Sequence, residues 1–169
     1  MKFTKRMVEV NSEFTELIQM SKSRKRPVVG DVFVVQPFEG SYYFCKVIKT
    51  KLQTKNENHK NMNLIYIYNY ESKNKEVPDD LDRYSFLLPP TVVNNQGWLK
   101  GYYETVQNLN VSDLEENTEF GFFDNYENRN TFYDINGEKL DYKPKYSSFY
   151  GLASYGAIGR GIHRVLKGE

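Results

Sequence analysis

The chain has 169 residues and a mass of 19.9 kDa, with one cysteine and 23 Lys/Arg set against 22 Asp/Glu. That is the length of one domain, long enough to bury roughly two-thirds of its unfolded surface without covalent staples. The lone Cys45 excludes an intramolecular disulfide and the small secreted scaffolds built on them, and a formal charge of +1 argues against bulk nucleic-acid binding, which needs a positive field.

Met1 to Val10 carries basic residues with no apolar stretch after them, so no secretory signal is expected and the protein is placed in the cytoplasm. Ser12 is placed as the cap of a short helix with Phe14, Leu17 and Ile18 on one face. Lys22, Arg24, Lys25 and Arg26 then form a basic linker, and Pro27 marks entry to extended chain. The β-branched run Val32-Phe33-Val34-Val35, the turn pair Glu39-Gly40 and the segment Tyr42 to Thr50 predict a hairpin, in which Cys45 is a buried hydrophobe. Lys51 to Asn61 is polar and reads as a loop, and Leu64 to Tyr68 as a third strand, apolar enough to be internal.

Val77 to Asp82 is an acidic connection, followed by Phe86-Leu87-Leu88 and a break at Pro89-Pro90. Two more strands are expected, Thr91 to Val93 and Trp98 to Val106, and then an acidic loop from Val111 to Glu119. Phe120 to Asp124 and Thr131 to Ile135 frame a polar tip, and Asn136-Gly137 signals a hairpin into Lys139 to Tyr142. Ile158, Ile162, Val165 and Leu166 recur at helical spacing, which predicts a C-terminal helix with a first turn weakened by Gly159 and Gly161.

Tests for chemistry find little. His59, His163 and Cys45 have no ligand spacing with one another, and Asp80-Leu81-Asp82 lacks the downstream oxygens of a calcium loop, so no metal or other cofactor is expected. No Gly-x-Ser-x-Gly elbow is present, and the glycines at 156, 159 and 161 lack a phosphate-loop Lys-Ser/Thr. The charge distribution says more. Residues 61–141 carry 15 acids against 6 bases, while both flanking segments are net basic. A local negative face steers basic partners.

The segment Pro27 to Lys49, with its G-D-V-F strand, E-G turn and F-C-K-V-I strand, resembles the opening of the immunity protein 26 family of bacterial polymorphic toxin systems. Leu64 to Tyr68, the Gly97-Trp98-Leu99-Lys100-Gly101 segment, and Tyr150-Gly151-Leu152 with Tyr155-Gly156-Ala157 extend the likeness over roughly residues 27–166. The resemblance implies toxin neutralisation but carries over no contact residues. A G-D-V-F strand also opens MazF/PemK-type endoribonuclease toxins. Those follow it with an Arg-Pro-containing strand, where this chain has Phe44-Cys45-Lys46-Val47-Ile48. A phosphate-binding module using Lys22 to Arg26 is the other alternative.

The expected fold is therefore α+β and β-rich. Residues 1–26 are a basic lead-in and residues 27–169 a single domain, with a strongly curved antiparallel sheet or partly open barrel and short helices near both termini. The expected function is a non-enzymatic binder of a cognate protein toxin, with no membrane and no direct nucleic-acid partner. Its candidate contacts are the acids Asp79, Asp80, Asp82, Glu115, Glu116 and Glu119, with Tyr84, Tyr102 and Tyr103 as aromatic anchors.

Overall fold

Val32 to Val35 are all fully buried, so the strand that carries them has core on both faces. In the computed structural model, which describes residues 16–168, this is β1 (Asp31–Phe38), joined to β2 (Ser41–Lys49) by a tight turn in which Gly40 takes φ +71°. β3 (Asn63–Ser72), β4 (Phe86–Val93) and β5 (Glu104–Asn108) complete an antiparallel five-stranded sheet in the order β4-β3-β2-β1-β5. The expected hairpin and the internal third strand are both present.

Alternation splits the core in two. Phe33, Val35, Cys45, Val47, Ile65 and Ile67 project to one face, where Leu17, Trp98, Tyr103, Ile158 and Ile162 cover them. Burial pushes the Cys45 thiol well above its ordinary value and so keeps it protonated. Val32, Val34, Phe44, Leu64, Tyr66 and Tyr68 project to the other face and meet Leu52, Leu81 and Phe122. Each such side chain contributes about 1.5–3 kcal/mol when fully buried, so both faces are needed.

The second face is covered in part by a further sheet. It holds β6 (Phe120–Phe123), β7 (Phe132–Tyr133), β8 (Lys139–Leu140) and β9 (Tyr146–Phe149) in the order β8-β7-β6-β9. The expected β-rich fold with short helices is present, built on two sheets rather than one and with no closed barrel among the described residues, and β6 and β9 run parallel. A parallel pair needs a long crossover, and the β7–β8 hairpin supplies it. Asp134 Oδ1 accepts from the amides of Asn136 and Glu138, and Gly137 takes φ +81° at the expected Asn-Gly turn.

Several local expectations are corrected. Pro89-Pro90 does not break β4, because β4 is an edge strand and the prolines sit at a bulge, between the pairs Thr91↔Ile65 and Leu88↔Ile67. Trp98 is not in a strand but in a short helix, α1 (Gln96–Leu99), which Asn94 Oδ1 initiates by accepting from Gln96 N–H and Gly101 ends at φ +83°. The acidic 111–119 segment holds a helical turn, α2 (Asp113–Glu116), closed by a capping box between Ser112 and Glu115.

α3 (Tyr155–Leu166) forms from its first turn, because Ser154 Oγ accepts from Ala157 N–H at 3.0 Å. Gly161 lets it approach β4 closely, since a Cβ there would stand 3.2 Å from Leu88. Ser12 and Phe14 of the expected N-terminal helix lie outside the described residues. Leu17 and Ile18 are not helical, and Ile18 N–H donates to Gln36 O at 2.8 Å, beyond the start of β5. The basic run at 22–26 is exposed but tied down through Ser23 N–H to Trp98 O at 3.0 Å.

Candidate functional site: a cleft between two acidic segments

The two acidic segments, some thirty residues apart in the chain, meet on the second face of the sheet. The first turns through a 3₁₀ segment, Leu81–Arg83, in which Leu81 is buried against the core and acts as a plug. Asp79 and Asp80 are left exposed, Asp82 is half-buried, and Tyr84 is exposed at the edge, its ring perpendicular to Tyr70 with centroids 4.8 Å apart. The second segment carries α2. Between them lies a cleft of about 620 Å³, walled by Phe86 and Tyr146 and rimmed by Asp82, Tyr84, Leu114 and Glu119. The rings of Phe86 and Tyr146 meet edge to face at 5.0 Å.

Beneath the cleft is a buried polar network. Lys46, in the middle of β2, is nearly inaccessible, and a buried ammonium requires a counter-charge. Its Nζ donates to Glu115 Oε1 at 2.8 Å and to Asn110 O at 2.8 Å. The Glu115 carboxylate also accepts from Tyr68 OH at 2.6 Å and from Ser112 N–H at 3.0 Å, and its backbone oxygen accepts from Tyr66 OH at 2.9 Å. Burial pushes the Tyr66 phenol up to about 12 and raises Tyr68 further, with the Glu115 hydrogen bond adding to the shift. Both hydroxyls are therefore donors at neutral pH.

The candidate residues divide accordingly. Asp82, Tyr84 and Glu119 line the cleft, Asp79, Asp80 and Glu116 are exposed on the same two segments without lining it, and among the described residues none of these acids is in an ion pair. Glu115, expected as an exposed contact, is instead 2% exposed at the floor of the cleft, because its carboxylate pairs with the buried Lys46. Tyr103 is corrected too, at 1% exposed between Phe33 and Trp98 in the core of the opposite face. Tyr102 is half-buried on that same face, stacked on Tyr155 at 4.8 Å. The structure does not bring the tyrosine pair to the acids.

Sequence reasoning passed over Lys46, Phe86, Leu114, Lys145 and Tyr146. The Ser112-Asp113-Leu114-Glu115 spacing was a readable capping-box signal. Nothing local marked Lys46 as the partner of Glu115. Arg83 and Lys145 also line the cleft, so its field is acidic at the rim and mixed within. Among the described residues no group of three His, Cys, Asp or Glu side chains is placed to hold a metal ion, and no helix is long and apolar enough to cross a membrane.

A β-rich scaffold presenting aromatic walls and free carboxylates at one cleft has the make-up of a protein-recognition module. Residues 28–132, well over half of the chain, match the family model of immunity protein 26. The chain belongs to the immunity protein 26 family. No curated protein and no solved structure matches it. The matched segment contains β1 to β6 and both acidic segments, whereas Lys145 and Tyr146 lie beyond it.

Proposed function

We propose that the protein is a cytoplasmic bacterial immunity protein that binds a cognate toxin and neutralises it by occlusion, without catalysis of its own. The toxin this surface fits best is a nuclease, whose cleft must be basic to hold a phosphate backbone. Family membership supports the general role. The observation that carries the particular reading is the meeting of Asp82 and Glu119, from two acidic segments, at one aromatic-walled cleft, with Asp79, Asp80 and Glu116 exposed on the same segments. Unpaired carboxylates at a rim speed encounter with a basic surface and disfavour like-charged competitors. Tyr84, Phe86 and Tyr146 supply the flat apolar area on which interfaces concentrate their affinity.

The test is co-expression with the product of the neighbouring upstream gene, followed by purification on a tag carried by one chain only. A stoichiometric complex that loses the toxin's activity is expected. If the two chains elute separately and the toxin stays active beside excess of this protein, the reading is wrong.

A further inference from the structure

We infer that Glu115 is a positioning residue: anchored by Lys46, Tyr66 and Tyr68, it holds the 110–119 segment in the shape that presents Glu119 at the cleft and leaves Glu116 exposed beside it. The inference rests on the reading of that cleft as the recognition surface. Its physical basis is where the fastenings of this segment come from. Leu109 still bonds to β1's neighbour, its N–H donating to Gly30 O at 2.9 Å, and β6 begins again at Phe120. Between them, the backbone bonds of Glu116, Asn117 and Thr118 all stay within the segment. Among the described residues, every hydrogen bond that reaches 110–118 from elsewhere comes from Lys46, Tyr66 or Tyr68.

Three of those bonds end on Glu115, the others on Asn110 and Thr118. Its carboxylate joins β2 through Lys46 and β3 through Tyr68, and turns back to the α2 cap through Ser112 N–H. Lys46 and Tyr66 are cross-strand neighbours in the middle of the sheet, so the donors stand on the most rigid part of the molecule. Val111 adds apolar contact, but it is only partly buried. Glu115 thus gathers most of the segment's fastenings to the sheet, two at its carboxylate and one at its backbone oxygen. A recognition element ordered in advance loses less conformational freedom on binding. The acids flanking Glu115 face solvent because Glu115 itself does not.

Hydrogen exchange on the isolated chain, read by mass spectrometry, tests this with no toxin present. In Glu115→Gln, amides of residues 112–119 should exchange faster by about tenfold or more, the scale of one lost charge-assisted hydrogen bond. Amides of β1 to β3 should keep their protection. Tyr68→Phe should give a smaller effect confined to the same residues. Because it strands no charge, it decides the matter alone if Glu115→Gln does not fold. Unchanged exchange at 112–119, or a rise shared equally with the sheet, overturns the inference, since a merely structural ion pair loosens the whole molecule. The readout needs no partner, so its failure is separate from a failure of the toxin-binding reading.

Discussion

Lys46 Nζ and Glu115 Oε1 lie 2.8 Å apart, with their side chains 5% and 1% exposed, although 69 residues separate them in the chain. Removing one member strands the other in a poorly solvated site, which costs about 3–5 kcal/mol when nothing can relax. Here the loss is capped, because opening the 110–119 segment rehydrates the stranded carboxylate. Lys46→Met should therefore lower urea stability by up to that amount. The double variant Lys46→Met/Glu115→Leu should recover much of the loss. Additive losses in the double-mutant cycle would show that the two groups do not interact.

The exposed acids of the two segments give the second expectation. Asp79, Asp80 and Asp82 replaced by Asn, or Glu116 and Glu119 by Gln, should slow toxin association and flatten its dependence on salt. Glu115 stays out of the second set, since changing it disturbs the anchor rather than the surface. Folding should survive both sets, exposed charge changes usually remaining within about 0.5 kcal/mol. Binding kinetics at several ionic strengths, with circular dichroism as the control, measure this. Parental kinetics in both variants would move the interface elsewhere.

His59 sets a pH dependence. It is 1% exposed, edge-on to Phe122, with Nε2 3.0 Å from Gly151 O, so its neutral form donates from Nε2 to that carbonyl. Burial lowers its pKa from the ordinary 6.5, and the Gly151 contact opposes this only in part. The unfolded state then binds more protons than the native state between 6.5 and the lower native value. Stability is full above 6.5 and falls as pH drops through that window. Thermal melts from pH 7.5 to 5 should show the decline, and His59→Gln should flatten it. A variant as pH-sensitive as the parent would place the effect on other groups.

Gly97 tests the packing of the opposite face. In an exposed helix, Gly→Ala stabilises by about 1 kcal/mol. At this position a Cβ would stand 2.2 Å from the Tyr103 ring, itself wedged between Phe33 and Trp98. Gly97→Ala should therefore destabilise, with a lower melting temperature and disturbed Trp98 fluorescence. A rise in melting temperature would mean the ring moves aside freely.

The strands that were legible in the sequence are those whose signal is local. Val32 to Val35 and Leu64 to Tyr68 are dense in β-branched and aromatic residues, Gly40 and Gly137 stand where the turns need positive φ, and the helical spacing of Ile158 and Ile162 survives into α3. Such preferences act over a few residues, so a few residues suffice to read them. The family resemblance belongs with them, because its motifs are these same strands and glycines.

What only the tertiary structure decided is pairing at a distance. Pro89-Pro90 reads as a break until β4 is known to be an edge, where a missing N–H costs no ladder bond. The parallel join of β6 and β9 has no local signature at all. Glu115 and Glu116 are chemically alike and adjacent, yet one is buried and the other exposed. The difference is Lys46, whose buried ammonium must have a counter-charge and takes it from whichever carboxylate the fold delivers.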